Sequence, residues 1–210
     1  RMHPDIEAIP NSLNYYDLLQ NSPTTRVATA HIVTAEPFPG SAVAMINTAQ
    51  LDIYCFSDYA SGSRFNPVSA LLTAIQGRQA INNGQVVGIV TPYNAQARLI
   101  NRILHESNVP RDSVLVATVH KFQGSERDLM LFDLVEGQGK KPGLLFSGSG
   151  TGTARLTNVA ISRARGKFVY LLDQHYVRDH FPPSHELHRF TSKVLQQAMS
   201  KKGNGLLRAQ

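Results

Sequence analysis

The segment "RLTNVAISRARGKFVYLLD", residues 155–173, joins a helical pattern to a buried strand. Apolar residues at positions 156, 159 and 160 share one helical face with Arg163, so this arginine continues an apolar stripe. Gly166 is typical of a helix end, and the uninterrupted apolar run 168–172 predicts a strand covered on both faces. An arginine at such a seam needs an anion as its partner. That anion is either a carboxylate of the same chain or a phosphate of a ligand.

The composition is that of a globular domain with a basic surface. Its 210 residues suit one domain with appendages, and the hydrophobic fraction of 42% suffices for a sizeable core. No apolar run is long enough to predict a membrane span. Cys55 is the only cysteine, which excludes an intrachain disulfide and a cysteine-rich zinc site and fits a reducing compartment, cytoplasmic or nuclear. The net charge of +6 and the pI of about 9.6 favour polyanionic partners.

Predicted strands alternate with predicted helices along the middle of the chain. Asn66 followed by Pro67 is typical of a helix start. The alternation predicts a doubly wound α/β domain with a mostly parallel sheet. The predicted strands lie near residues 43–47, 86–91, 114–119, 128–135 and 167–172, and the main predicted helices near 67–84, 94–106, 154–164 and 185–200.

This pattern divides the chain into three regions. Residues 1–40 are polar and contain five prolines, which predicts an irregular lead-in with at most short helices. Residues 41–174 contain the alternating strands and helices of the α/β domain. Residues 175–210 form a predicted C-terminal helical tail.

Ligands of open α/β sheets bind beyond the carboxyl ends of the strands. We therefore expect a site among the segments that follow three predicted strands. These segments are "TPYNAQ" (91–96), "HKFQGSE" (120–126) and "DQHY" (173–176). The first two are rich in groups that suit phosphates or bases.

A Walker phosphate-binding loop is absent from the sequence. The pattern needs a glycine, four residues and then Gly-Lys-Ser/Thr. Neither Gly139-Lys140 nor Gly166-Lys167 completes it, because Leu134 and Ile161 occupy the required glycine positions. No Asp-Glu pair follows a strand to hold magnesium. The stretch "GSGTGT", 148–153, is interpreted as a flexible loop.

The histidines near the C-terminus raise the possibility of a zinc site. "HELH", 185–188, places two of them on adjacent helical turns. The spacing is not that of the H-E-x-x-H pattern, and no further ligand group is evident. A solvated polar helix face is the simpler interpretation, and we predict no metal site.

Four ordered motifs together resemble a known family. "RMHPDIEAIPN", "VVGIVTPYNAQARLI", "VATVHKFQGSERDLMLFDLV" and "RLTNVAISRAR" occur in the order found in superfamily-one helicases. The branch is typified by the nonsense-mediated-decay and senataxin-like enzymes and their bacterial relatives. The resemblance covers residues 1 to about 173 and is to the second RecA-like domain of the motor, of the AAA_12 type. It implies a RecA-like P-loop NTPase fold, a three-layer α/β/α sandwich.

The resemblance implies a nucleotide role for five residues. Arg163 of "SRAR" corresponds to the arginine finger that contacts the γ-phosphate. Arg1 of "RMHP" resembles a second γ-phosphate contact, and Glu126 of "FQGSE" a contact to the ribose. Gly124 shapes that loop, and Arg165 either supports Arg163 or meets a phosphate itself. A planar, permanently charged guanidinium that binds two oxygens at once suits these roles.

The same resemblance implies nucleic-acid contacts. Thr91 and Tyr93 of "TPY", with Thr118 and His120, lie where the family touches the strand. Two residues depart from the family pattern, because His120 stands where many relatives have aspartate and Ser69 where they often have glutamate. Hydroxyl and backbone groups grip a sugar-phosphate chain without reading its sequence.

The predicted function is that of one half of an ATP-driven helicase or translocase that acts on single-stranded DNA or RNA. ATP with Mg²⁺ is the implied cofactor, bound mainly by a first RecA-like domain that the 210 residues do not contain. That domain is the expected protein partner, no membrane partner is expected, and the chain alone should be inactive. Two alternatives are a non-catalytic module that binds nucleic acid or a protein partner, and a metal-dependent nuclease. The nuclease would need clustered carboxylates, and none stand at convincing spacing.

Overall fold

A sheet of parallel strands forms the centre of the protein. The structure is a computed structural model that describes residues 2–51, 53–122, 125–147, 151–199 and 206–208. The sheet has the order β5-β4-β6-β7-β1-β8, and all its neighbouring strands run parallel, while β2 and β3 form a separate antiparallel hairpin. The strands are β1 Val43–Asn47, β2 Phe56–Ser57, β3 Arg64–Phe65, β4 Val87–Val90, β5 Val114–Ala117, β6 Arg127–Asp133, β7 Ala164–Leu172 and β8 Leu206–Arg208.

Helices cover both faces of this sheet, which confirms the predicted RecA-like α/β sandwich. One face packs on α4 and α5, and the other on α1, α6, α7 and α8. Within the described ranges no helix is both long and apolar enough to cross a membrane. The helices are α1 Pro4–Asn14, α2 Thr25–Ala28, α3 Ala30–Thr34, α4 Pro67–Asn82, α5 Asn94–Glu106, α6 Thr151–Ser162, α7 Gln174–His180 and α8 Glu186–Met199.

The helix start predicted from Asn66-Pro67 is confirmed. The Asn66 side chain accepts a hydrogen bond from the Ser69 backbone N–H at 3.1 Å, and Pro67 occupies the first turn, where its missing N–H costs nothing. Helix α5 begins and ends at the residues that the sequence predicts. These local signals position the segments that follow β3 and β4.

The predicted boundary between α6 and β7 is wrong. The helix ends at Ser162 and the strand begins at Ala164, so Gly166 lies inside β7 and does not stop a helix. A Cβ atom at Gly166 would lie 2.6 Å from the Cβ of Ile32, a residue of α3. Glycine is therefore needed at this point because α3 packs directly against the strand backbone.

The lead-in is more helical than the sequence predicts. Helix α1 has 11 residues, including Pro10, where at most short helices were expected. The His3 side chain caps it by accepting from the Asp5 N–H at 3.2 Å, and Ile6 and Ile9 are buried against the sheet. Burial of this apolar face outweighs the cost of a proline within the helix.

The segment after β5 also differs from its prediction. The strand ends at Ala117, and Val119–Phe122 form a 3-10 helix in place of the expected strand end. Phe122 is fully buried in the core, which anchors this turn. The connection to β6 thus starts at the carboxyl end of β5 and ends at the amino end of β6.

Candidate nucleotide and nucleic-acid sites

Three segments far apart in sequence meet where β6 and β7 begin. The Arg127 N–H donates to the Arg163 carbonyl at 2.9 Å, and the His3 N–H donates to the Arg165 carbonyl at 2.7 Å. These bonds place the "RMHP" segment and Glu126, which precedes β6, beside the start of β7. We call this region the amino edge. Two residues with predicted nucleotide roles, Arg1 and Gly124, lie outside the described residues.

Arg163 occupies the turn between α6 and β7 at this edge. Its side chain is partly buried, and its Nε atom is buried without a hydrogen-bond partner among the residues that the structure describes. An unsatisfied buried guanidinium nitrogen is costly in a folded protein. The Nε atom of Arg163 is therefore a donor whose partner is not among the described residues.

Two acidic residues of the strands nearest Arg163, Asp133 at the end of β6 and Asp173 after β7, are engaged with other groups. Asp133 is fully buried at the opposite end of β6, where Gln96 donates to its carboxylate at 2.6 Å and Ser69 at 3.2 Å. Burial raises the pKa of Asp133 to about 6, although these hydrogen bonds oppose the shift. Asp173 caps α7 by accepting from the Tyr176 N–H at 2.9 Å. Neither residue holds Arg163 in an internal salt bridge.

Arg165 and Glu126 flank Arg163 at the amino edge. Arg165 lies in β7, and its exposed guanidinium donates to Asp128 at 3.0 Å. An exposed pair of this kind contributes little to stability, so a phosphate can compete for the arginine. Glu126 is partly buried, and its carbonyl accepts from Arg127 Nη1 at 3.0 Å.

The residues with predicted nucleic-acid roles lie at the opposite edge of the sheet, which we call the carboxyl edge. The Thr91 N–H donates to the Ala117 carbonyl at 3.3 Å, so the segments after β4 and β5 are neighbours. Thr91 is fully buried, and its hydroxyl has no hydrogen-bond partner within the described part of the chain. Thr118 is partly buried, and the backbone of His120 lies in the 3-10 helix.

A groove of about 360 Å³ lies between these segments and α6. Arg155, an exposed residue of α6, lines it, and Leu144, the neighbour in sequence of the lining residue Leu145, is 94% exposed. The groove thus combines one cation with apolar surface. Its other lining residues include Pro92, Asn94, Thr118, Val119 and Leu145.

A buried carboxylate that the sequence did not single out lies behind this groove. Glu136 is 2% exposed, and Arg64 Nη1 contacts both of its oxygens, at 2.8 and 2.9 Å. The Tyr93 hydroxyl donates to Oε1, and Oε2 accepts from the Gly143 N–H at 3.1 Å and the Tyr176 hydroxyl at 3.4 Å. Burial, followed by the charge of Glu136, raises the pKa of Tyr93 far above its usual value, so the phenol is a neutral donor.

The C-terminal histidines bind backbone groups. His185 Nε2 lies 2.9 Å from the Phe146 carbonyl, and His188 Nδ1 lies 2.8 Å from the Phe181 carbonyl. In the described residues no group of three or more His, Cys, Asp or Glu side chains is placed to hold a metal ion. The His185 ring thus connects the tail to the domain, whereas the His188 contact lies within the tail.

The two candidate sites are therefore at opposite ends of the same strands. The seven residues of β6 separate them by roughly 20 Å. The connection from Thr118 to Glu126 runs from one edge to the other, although the sequence suggested one site beyond the carboxyl ends. The amino edge offers cations to an anion, and the carboxyl edge offers a groove to an extended chain.

Comparison with known proteins shows the family to which the chain belongs. A family model described as an AAA domain matches residues 1–175, most of the chain. "DNA replication ATP-dependent helicase/nuclease JHS1" of Arabidopsis thaliana is 32% identical over 139 residues, 65% of this chain and 10% of that protein. "DNA replication ATP-dependent helicase/nuclease DNA2" of Mus musculus is 26% identical over 204 residues, 81% of this chain and 18% of that protein.

A further relative is named for RNA. "Probable RNA helicase armi" of Drosophila melanogaster is 29% identical over 121 residues, 55% of this chain and 10% of that protein. The chain thus spans less than a fifth of the length of each of these relatives. Their names include both DNA and RNA, so the similarity does not select one nucleic acid.

Proposed function

Because the chain belongs to the AAA domain family, we propose that it is the second RecA-like domain of an ATP-dependent helicase or translocase. The observation that carries the proposal is the meeting of His3, of Arg127 with the preceding Glu126, and of the "SRAR" segment at the amino edge. These segments are separated by more than 30 residues in each case, and only the fold brings them together. A surface that collects arginines and a glutamate in this way suits a nucleotide.

The amino edge fits the γ-phosphate and ribose of ATP. Arg163 has a buried nitrogen without a partner in the described chain, which an oxygen anion would satisfy. We assign Arg163 to the γ-phosphate, with Arg1 as a second contact and Arg165 as a supporting cation. We assign Glu126 to the ribose hydroxyls. ATP, when bound, supplies the phosphoanhydride bond whose hydrolysis drives movement.

Arg163 and Glu126 have different proposed roles, since one acts on the charge of the phosphoryl group and the other on the position of the nucleotide. Arg163 neutralises negative charge that develops on the transferred phosphoryl group, and it contributes most in a site from which water is excluded. Glu126 orients the nucleotide. The Walker loop and the magnesium ligands have no counterpart in the 210 residues, so we assign them to a first RecA-like domain that contacts the amino edge.

The carboxyl edge would hold the single strand on which the motor moves. Arg155 offers a charge to a phosphate, Thr118 a hydroxyl, and Leu144 and Leu145 offer apolar contact to bases. Such contacts do not distinguish one base from another. A retired, non-catalytic module would need this groove but would not need an arginine at the opposite edge whose buried Nε has no partner among the described residues.

The 210-residue chain is expected to show no ATP hydrolysis above background. The physical reason is that the chain offers arginines but has no Walker segments. In this class of motor the Walker segments bind the β-phosphate and the magnesium ion. Phosphate release should be measured by a coupled assay, with the complete motor as the positive control. Turnover that follows the chain through repeated purification and disappears in the Arg163→Ala variant would contradict the assignment.

Single strands are expected to bind weakly and with strong dependence on salt. If the groove contacts two or three phosphates, affinity should fall roughly tenfold between about 50 and 200 mM salt. Fluorescence anisotropy with labelled oligothymidylate and oligouridylate measures this slope. Arg155→Ala should make the slope shallower, whereas Arg102→Ala, which removes an exposed charge on α5, should leave it unchanged. An affinity that stays flat over this salt range would exclude phosphate contacts as its source.

A further inference from the structure

Glu136 joins four separate segments behind the groove. Arg64 belongs to β3, Tyr93 follows β4, Tyr176 belongs to α7, and Gly143 lies in the loop before α6. Arg64, Tyr93 and Gly143 donate to the one carboxylate. The Tyr176 hydroxyl lies 3.4 Å from Oε2 and shares its single hydrogen with the nearer Lys140 carbonyl. Glu136 is therefore the common acceptor for segments that surround one side of the carboxyl edge.

Tyr93 is the member of this set that is continuous with the groove. Its neighbours Pro92 and Asn94 line the groove, whereas its own hydroxyl donates to Glu136. The Arg64 guanidinium lies 5.8 Å from the centre of the Tyr93 ring, which adds a cation–π contact. Because the Tyr93 hydroxyl already donates to Glu136, it anchors residues 91–94 and is not available to bind a nucleic-acid strand.

The packing around this hydroxyl leaves no spare room. A Cβ atom built on Gly143 would collide with the Tyr93 hydroxyl and would lie 3.0 Å from Glu136 Oε1. Glycine at 143 therefore lets its own N–H and the tyrosine reach the carboxylate together. The position of Tyr93 is fixed from three sides, by Glu136, Arg64 and Gly143.

We propose that Glu136 is a positioning residue for single-strand binding, which acts through Tyr93 to fix residues 91–94 as one wall of the groove. The inference rests on the proposed function of the carboxyl edge and names a residue that does not touch the strand. A carboxylate is suited to the task because a hydrogen bond to a charged acceptor is stronger than one between neutral groups. The Glu136 carboxylate also keeps its salt bridge with Arg64 while it accepts the hydrogen bond from Tyr93.

The first test compares Tyr93→Phe with Tyr176→Phe. Both remove one phenol hydroxyl from the same carboxylate and keep the ring. Tyr176 also donates to the Lys140 carbonyl at 2.8 Å, and it is remote in sequence from residues 91–94. Amide hydrogen exchange of a peptide that covers residues 91–97 should become faster in Tyr93→Phe and stay unchanged in Tyr176→Phe.

The second readout is affinity for labelled oligothymidylate at fixed salt. Loss of a hydrogen bond to a charged group predicts an affinity about tenfold weaker for Tyr93→Phe. Tyr176→Phe should bind as the wild type does. Because phenylalanine keeps the ring, a loss in Tyr93→Phe identifies the hydroxyl, whereas direct stacking on the ring would leave the affinity unchanged.

Gly143→Ala breaks the same contact by a different route. Its methyl group should displace the Tyr93 hydroxyl from Glu136 while both groups remain in the chain. Affinity should fall as it does for Tyr93→Phe, and the double variant should be no weaker than either single variant, because both remove one contact. Melting curves show whether each variant is folded at the assay temperature.

Failure of strand binding and failure of the Glu136 role give different results. A wild-type chain that binds no strand would overturn both. A wild-type chain that binds, with Tyr93→Phe equal to it in affinity and exchange, would overturn only the role of Glu136. Equal losses in Tyr93→Phe and Tyr176→Phe would also overturn it, since they would indicate general loosening of the fold.

Discussion

Replacement of Arg163 by alanine is expected to lower ATP turnover by the complete motor by about 10³-fold or more. A factor of 10³ corresponds to about 4 kcal/mol of transition-state stabilisation. The loss should be large because the Arg163 guanidinium has a buried nitrogen that no described residue of this domain satisfies. Steady-state phosphate release at saturating single strand measures the effect.

Nucleotide affinity should change far less than turnover. A finger acts mainly on charge that develops in the transition state, so the Michaelis constant for ATP should stay within roughly a few fold. Arg163→Lys should restore little, because a point charge replaces a planar group that binds two oxygens. Arg102→Ala is the matched control, since it removes an arginine from an exposed pair with Glu106 on α5.

Thermal melting distinguishes a finger from a structural arginine. Asp133 and Asp173 accept hydrogen bonds from other groups, so truncation of Arg163 breaks no salt bridge with either. The melting temperature of the 210-residue chain should therefore move by less than about 2 °C. A fall that corresponds to several kcal/mol would identify a structural arginine, and a folded variant with full turnover in the complete motor would end the finger assignment.

The sequence predicts those helices and strands that are marked by a cap, a proline or a regular apolar pattern within the element itself. Asn66 and Pro67 carry a cap and a first-turn proline next to each other, and α5 has a regular apolar face, so both helix starts were found. The buried strands β1 and β4 are short apolar runs between polar turns. In these places propensity, pattern and capping all favour one structure.

The parts that depend on distant residues could not be predicted in this way. Gly166 has the appearance of a helix stop, and its true role is set by Ile32, which lies 134 positions earlier in the sequence. Helix α1 forms because Ile6 and Ile9 find the sheet, in spite of Pro10. Such contacts cannot be predicted from a short stretch of sequence, because the residue that packs against it lies elsewhere in the chain.

The candidate site shows the same division. The motifs named Arg163, Glu126, Thr91 and Thr118, but no local pattern predicted that they lie on two opposite edges. That separation follows from the short connection between β5 and β6, which starts at one edge and ends at the other. No motif contains Glu136 or its partner Arg64, and 72 residues separate the two, so no local pattern in the sequence indicates this pair.

Replacement of Arg64 by methionine is expected to lower the free energy of unfolding by about 3–5 kcal/mol. Methionine retains apolar volume but removes the charge, so the Glu136 carboxylate, whose side chain has no exposed area, is left with neutral donors only. Urea denaturation of the 210-residue chain at neutral pH measures the change. Because domains are stable by only about 5–15 kcal/mol, the midpoint should move visibly.

The double variant Arg64→Met with Glu136→Gln decides whether charge is the cause. The glutamine removes the buried charge and keeps a carbonyl oxygen that accepts from Tyr93 or Gly143, so most of the lost stability should return. Arg102→Ala, which breaks an exposed pair, should cost less than about 1 kcal/mol. If Arg64→Met were no more costly than Arg102→Ala, the pair behind the groove would contribute no more than a surface pair. Rescue by Glu136→Gln would instead show that the fold tolerates this carboxylate only because Arg64 neutralises it, which ties the hairpin of β2 and β3 to the wall of the groove.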